Sequence, residues 1–372
     1  MHRLVLAVAL LVAACGGTSN NHSGDGGGGG GDGGGGGGDG GGTNVDANLS
    51  GTSAITIIVE PNGNKASELV SAINAATTSV YMTMYEIDND DIINALVARA
   101  QAHVDVEAVL DATTGTAAQG DVNNMSFNMD AYTKLTAAGV SVVWSNTTRF
   151  TFTHEKTIII DQKVAWIMTM NANESTPEDN REYLAIDTDA ADIAEATAIF
   201  KADHANTVIT PTGSLVVADT NARAMMVALI NTATTALDIE DEEFSDTNSN
   251  GIVSAVVAAA KRGVAVRVVI GNSGTTSAQT TAIGDVKTAG GSVVITGPTS
   301  GDGTASNPYI HAKAILIDCD GTNCKNGWVG SENMTAGSLG YNRELGVIFA
   351  VPTELAKIKT AIDTDFAAGT AQ

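Results

Sequence analysis

Residues 154–161 read HEKTIIID, and residues 311–318 read HAKAILID. In both octets a histidine, a lysine and an aspartate hold one register around aliphatic residues. The chain has six histidines, and two of them open these octets. The copies lie 157 residues apart, far too long a period for a solenoid repeat, so they mark two domain-sized halves.

The flanks repeat as well. Asp161 precedes Asn171 by 10 residues, and His154 precedes Glu182 by 28. The matching intervals, Asp318 to Asn333 and His311 to Glu344, are 15 and 33. One five-residue insertion inside CDGTNCKNG accounts for both differences. With it removed, Trp166 matches Trp328, Thr169 matches Ser331, and Asn180-Arg181-Glu182 matches Asn342-Arg343-Glu344. Around these motifs apolar runs alternate with helical stretches. Strands are expected at 54–60, 79–87 and 104–111, with helices at 65–76 and 90–102. The second half repeats the order with a strand at 215–218, a helix at 221–234 and a strand at 236–244. Such alternation, with strands that read as continuous apolar runs, predicts an α/β fold. Its halves span 51–208 and 209–372 and are related by a pseudo-twofold axis.

The N-terminus reads as a processing segment. MHRLVLAVALLVAAC has a basic start and an apolar run of about ten residues, too short to cross a bilayer as a mature helix. Small residues directly before Cys15 resemble a bacterial lipobox, in which the cysteine becomes the lipidated N-terminus. Residues 1–15 are therefore expected to be a lipoprotein signal, against the plainer reading of an ordinary secretory signal. Residues 16–50, mostly glycine, cannot bury a core and are expected to form a flexible tether, with an r.m.s. span of about 30 Å across the glycine tract. The other two cysteines, Cys319 and Cys324, flank DGTN, and export predicts a disulfide between them. The net charge of −23, with only 19 Lys and Arg, disfavours a protein that coats nucleic acid.

In HxKxxxxD the lysine lies two residues from the histidine, so on an extended strand both project from one face. An ammonium beside an imidazole suits an anionic phosphorus centre. The ammonium neutralises a phosphate oxygen while the ring reaches phosphorus. The aspartate, at an odd offset, is expected to point away and to support the site. Asn171 and Asn333 can donate amides to phosphate oxygens. Glu182 and its counterpart Glu344 can accept the second ring N–H of a histidine and fix its tautomer. Displacement at phosphorus needs a nucleophile on one side and a proton donor on the other. Two facing histidines supply both, one neutral and one protonated.

The paired HxKxxxxD motifs, the Gly330-Ser331-Glu332-Asn333 segment and the two Asn-Arg-Glu segments resemble the phospholipase D superfamily, from residue 51 to the end of the chain. The resemblance implies two α/β/α sandwich halves that share one active site. It implies a covalent phosphohistidine, with no metal or other cofactor. His154, Lys156 and Asp161 with His311, Lys313 and Asp318 would be the catalytic set. Thr169, Asn171, Glu182, Ser331, Asn333 and Glu344 would support it. His154 is expected as nucleophile and His311 as acid; the residues alone leave that order open. The chain departs from the family at Met168-Thr169-Met170-Asn171, where Met168 replaces the usual glycine, so a narrowed or reshaped pocket is expected in the first half.

The remaining features have plain readings. His103 and His204 match no motif. DTNSNG at 246–251 resembles a calcium loop, but Val257 stands where its glutamate belongs, and a helix-capping turn is expected. The acidic run Glu240 to Glu243 is expected at a strand end near the site, with a cation site as the alternative. Met82 and Met84 are expected in the core. The functions consistent with these residues are a phospholipid phosphodiesterase, a nuclease, a phosphatidyl transferase and a non-catalytic phosphodiester-binding protein. The first is favoured, with phospholipid or another phosphodiester as substrate, a lipid anchor to the bacterial envelope, and a monomer expected.

Overall fold

The computed structural model describes residues 54–114 and 122–372. The expected signal segment, its Cys15 and the glycine-rich tether lie outside the described residues. The first half contributes β1 (Ile55–Glu60), β2 (Ser79–Met84), β3 (Asp105–Leu110), β4 (Ser141–Trp144), β5 (Lys156–Ile160), β6 (Val164–Met168) and β7 (Asn180–Asp187). The second contributes β8 (Val216–Val217), β9 (Ala236–Asp241), β10 (Ala265–Gly271), β11 (Ser292–Thr296), β12 (Tyr309–Ile310), β13 (Ala314–Ile317), β14 (Asn326–Gly330), β15 (Leu345–Phe349) and β16 (Thr370–Ala371).

These strands form two eight-stranded sheets. The first runs β1-β7-β6-β5-β2-β3-β4, and the second β16-β11-β10-β9-β13-β14-β15-β8. In each, parallel strands adjoin an antiparallel meander that begins at the HxKxxxxD strand. The eighth strand of the first sheet is β12, which comes from the second half and lies parallel to β7.

The isoleucine run of the first octet shows why the strands are apolar throughout. Side chains alternate across a strand, and here both faces are covered. Ile158 and Ile160 enter an outer core with Leu69, Ile92 and Leu96 from helices Ser67–Ala75 and Asp90–Gln101. Ile159 points the other way, into a core shared by both halves. There it is clustered with Ala314, Leu316 and Val347 of the second sheet and with helices Ala190–His204 and Pro352–Ala368. Full burial of each such side chain contributes about 1.5–3 kcal/mol. The second half has its own outer core beneath helices Ala222–Asn231 and Ile252–Lys261. Met82 and Met84 are buried in the outer core of the first half.

Local chemistry moves some boundaries. The first helix starts at Ser67, because Lys65 and Ala66 are left-handed at φ 57°. The helix expected to reach residue 234 stops at Asn231, which frees the amides of Thr234 and Thr235 for Asp318. Asn89 caps the helix from Asp90 by accepting from Ile92 N at 3.0 Å. Asp246, in DTNSNG, accepts from Ile252 N at 3.1 Å at the start of the next helix. Cys319 and Cys324 are joined by a disulfide. Among the described residues, no helix is long and apolar enough to cross a membrane.

Candidate active site

The two histidines sit on the run-ins to β5 and β13 rather than within the strands. Each run-in crosses to the opposite half. Residues 309 and 310 lie along Asn180 and Arg181, and the amide of His311 donates to the Arg181 carbonyl at 3.3 Å. Correspondingly, Thr153 bridges Arg343, and the Glu155 amide donates to the Arg343 carbonyl at 3.0 Å. The exchange sets each histidine beside the glutamate of the other half. His311 Nδ1 lies 2.7 Å from Glu182 Oε1, and His154 Nδ1 lies 2.8 Å from Glu344 Oε2. A carboxylate only accepts, so the ring nitrogen that faces it carries the proton and Nε2 is left for chemistry.

Both glutamates are fully buried. Burial opposes their charge, yet the histidine partners and their other donors hold both below the ordinary carboxylate value. The Thr169 hydroxyl donates to Glu182 and accepts from the Tyr183 amide at 2.9 Å. Asn180 donates to Glu182 at 3.2 Å. In the second half Ser338 and Asn342 donate to Glu344 at 2.6 and 2.9 Å. Ser331 instead accepts from the Leu345 amide at 3.2 Å. The arginines of the two Asn-Arg-Glu segments also bind across the structure. Arg181 pairs with Asp365 at 2.6 Å, and the buried Arg343 pairs with Asp203 at 2.8 Å.

Lys156 and Lys313 are almost fully buried, and each ammonium donates to the carbonyl of its own histidine, at 2.6 and 2.5 Å. All four groups share one electrostatic neighbourhood. Lys313 acts on both His154 and Lys156, and Glu86 feels both Lys156 and His311. Burial, followed by the charge of Lys156, pushes His154 down to about 4 against the pull of Glu344. Its imidazole is therefore neutral at neutral pH. Burial also brings Lys156 down to about 7, with the Lys313 charge adding to the fall.

The halves also differ in what faces each histidine and lysine. The offset that relates His154 to His311 also relates Tyr85 to Glu242. The Tyr85 ring packs edge-on against His154, with centroids 4.6 Å apart, and Lys156 Nζ lies 4.8 Å from its centre. Glu242 instead places Oε2 3.0 Å from Lys313 Nζ and 3.4 Å from His311 Nε2. Burial works against the Lys313 ammonium, but Glu242, with Glu182 and Asp241, carries its pKa above the usual lysine value. His311 thus has a carboxylate at each ring nitrogen. Only a doubly protonated ring can donate to both.

Asp161 and Asp318 are not brought to the histidine pair. Each is left-handed, at φ 53° and 51°, and turns back to the start of a neighbouring strand. Asp161 accepts from the amides of Thr77, Thr78 and Ser79 at 2.7–3.1 Å. Asp318 does the same for Thr234, Thr235 and Ala236 at 2.8–3.3 Å. The supporting role expected of them is the positioning of β2 and β9, whose C-terminal ends lead into Tyr85 and Glu242. Asn171 and Asn333 do face the site, and each amide reaches a carboxylate, Glu86 and Glu242 respectively, at 3.5 Å.

Met168 does not narrow the site. Its side chain is fully buried in the outer core of the first half, with Leu184. Its counterpart Gly330 is close to Gly346, and a Cβ on Gly330 would lie 2.6 Å from the Gly346 Cα. The acidic run does not converge either. Glu240 accepts from Tyr183, Asp241 from the amides of Glu243 and Met334, and Glu242 from Lys313. Among the described residues, no three His, Cys, Asp or Glu side chains are grouped to hold a metal. The acidic run does lie at a strand end beside the site, as expected, with Glu242 on Lys313 and His311. The contrast between Glu242 and Tyr85 was hidden, because Tyr85 belongs to no repeated motif. Applying the 157-residue offset beyond the motifs would have exposed the mismatch.

With this geometry in place, likenesses to known proteins can be set beside it. The family model described as cardiolipin synthase, PLD-like domain, matches residues 69–204 and 226–367, one stretch in each half. No curated protein sequence matches the chain. Among solved structures, polyphosphate kinase from Porphyromonas gingivalis superposes with a TM-score of 0.62 at 14% identity, over 83% of this chain and 46% of the kinase. This chain therefore spans less than half the length of that protein. Phosphatidylserine synthase from Haemophilus influenzae Rd KW20 superposes with a TM-score of 0.61 at 11% identity, over 88% of this chain and 91% of the synthase. At these identities the likeness is one of fold.

Proposed function

The chain belongs to the phospholipase D superfamily of PLD-like domains, and on that premise we propose that it is a phosphodiesterase that hydrolyses phospholipids through a covalent phosphohistidine. The observation that carries the reading is the pair of histidine–glutamate contacts, each built from both halves on a fully buried glutamate, beside two buried lysines. His154 Nε2, neutral and oriented by Glu344, attacks phosphorus. The P–O bond to the leaving alcohol breaks, and His311 Nε2 gives that oxygen its proton. His311 then takes a proton from water, the hydroxide attacks phosphorus, and the N–P bond to His154 breaks. Lys156, Lys313, Asn171 and Asn333 offset the charge on the non-bridging oxygens.

Phospholipid is preferred over nucleic acid because the chain carries a net charge of −23 and would repel a polyanion. We propose further that Cys15 is acylated and holds the folded halves at the bacterial envelope on the glycine-rich tether. In a Cys15→Ser protein, acyl modification detected by mass spectrometry would end that reading.

The deciding experiment offers purified protein a phospholipid panel, single-stranded DNA, and lipid with an added primary alcohol. Release of the headgroup to water supports the proposal. Cleavage of DNA alone would make the protein a nuclease. Exchange of the headgroup for the alcohol in preference to water would make it a transferase. No turnover and no phosphohistidine would leave a phosphodiester-binding protein.

A further inference from the structure

The second-half anion subsite already holds an anion. Lys313 Nζ, His311 Nε2 and Asn333 Nδ2, the groups expected to meet a phosphate, converge on Glu242 Oε2 at 3.0, 3.4 and 3.5 Å. The other oxygen, Oε1, accepts from the Tyr309 hydroxyl at 2.6 Å. Tyr309 lies in β12, two residues before His311, so the carboxylate is held from both sides of the motif. The matching place in the first half is occupied by Tyr85, and Lys156 makes no ion pair with a carboxylate among the described residues.

Resting on the reading above, we propose that Glu242 is a specificity-determining residue that acts as a resident anion in the second-half phosphate subsite and selects against doubly charged ligands. A substrate oxygen reaches Lys313, His311 and Asn333 only by displacing this carboxylate or by sharing its donors. A phosphodiester presents one negative charge and can share them. A phosphomonoester, which is the product of headgroup release, and inorganic phosphate carry up to two charges near neutral pH. Each additional charge meets the carboxylate at close range in a buried site, where Coulomb repulsion is poorly screened. Burial opposes the charge on Glu242, but Lys313, His311 and Tyr309 hold its pKa well below the ordinary value, so the resident anion persists across neutral pH.

The test is direct binding of tungstate and inorganic phosphate by calorimetry to the whole folded protein, to Glu242→Gln and to Glu242→Tyr. The second variant reproduces the first-half residue. Circular dichroism and thermal melting establish which variants are folded, and one folded variant is sufficient. Removal of the charge should tighten dianion binding about tenfold or more. It should also lower the inhibition constant of phosphate more than it lowers KM for a phosphodiester. Dianion affinity unchanged or weakened in a folded variant would overturn the proposal. Ion binding reads the subsite without turnover, so the two proposals fail separately. A protein that cleaves no phosphodiester yet binds tungstate more tightly once Glu242 is neutralised loses only the enzymatic reading.

Discussion

Glu182 and His311 belong to opposite halves of the duplicated chain, and their side chains meet at 2.7 Å. Glu344 and His154 form the reciprocal contact at 2.8 Å. In both contacts the histidine and the glutamate that faces its Nδ1 come from different halves, so the duplication makes one site rather than two.

The crossed pairing makes the two glutamates functionally unlike. Glu344→Gln should impair the nucleophile, and Glu182→Gln the acid. Each change should lower turnover by about 100-fold or more, towards the roughly 10⁴-fold loss that follows when the carboxylate orienting a catalytic histidine becomes an amide. A substrate with an acidic leaving group separates them, because it needs little proton donation. Glu182→Gln should recover much of its rate of phosphoenzyme formation on that substrate, and Glu344→Gln should not. Equal recovery in both variants would mean that the glutamates only hold the fold.

How much of this was readable in advance divides along physical lines. The α/β alternation was legible because strands buried on both faces need continuous apolar runs such as Ile158 to Ile160. The two halves, and the residues that gather around His154 and His311, were legible because the motifs keep their spacing apart from one insertion at the disulfide hairpin. The crossing was not legible. Linear spacing places Glu182 28 residues after His154, and nothing local indicates that it serves His311 instead. The direction of Asp161 was half legible. Parity placed it away from the histidine, but only its left-handed backbone turns it onto the amides of Thr77 to Ser79.

That placement separates stability from chemistry. Asp161→Ala strips three amides of their acceptor and should destabilise the fold by about 2 kcal/mol, with Asp318→Ala similar. Turnover per folded molecule should stay within a few-fold of wild type. Burial works slightly against these carboxylates, but the amide and hydroxyl donors hold both below the ordinary aspartate value. Their contribution is therefore complete above the unfolded value and is lost as pH falls through it toward the folded value. Urea melts at pH 7 and pH 3 should show the penalty of Asp161→Ala shrinking at the lower pH. A constant penalty would place the effect elsewhere.

Lys156 should set the alkaline side of the pH profile. Burial first, and Lys313 after it, lower its ammonium to about 7. The charge is present below that value and is lost above it, so kcat/KM should fall by up to about tenfold per pH unit on the alkaline side. His154, at about 4, is already neutral across this window and contributes no limb there. Lys156→Arg keeps its charge at every accessible pH. Whatever its rate, its profile should lose the limb near 7. An unchanged limb would assign the titration to another group.

The order of the two histidines is the remaining question, and Tyr85 and Glu242 bear on it. His154 sits against an aromatic ring and a lysine, and its neutral ring has Nδ1–H on Glu344, so Nε2 carries the lone pair that attack requires. His311 has a carboxylate at each nitrogen, which suits a ring that carries a proton to give. The phosphoryl group should therefore be found on His154. His311→Ala, offered a substrate with an acidic leaving group, should form the intermediate without its acid but lack the base that activates water. A phosphoenzyme should accumulate, and its phosphopeptide should contain residue 154. His154→Ala under the same conditions should give none, and the double variant should turn over little more slowly than either single one, because the residues act as a unit. A phosphopeptide that contains residue 311 would reverse the assignment and show that the Glu242 carboxylate orients a nucleophile. No adduct on either variant would point to direct attack by water, with the two histidines as base and acid.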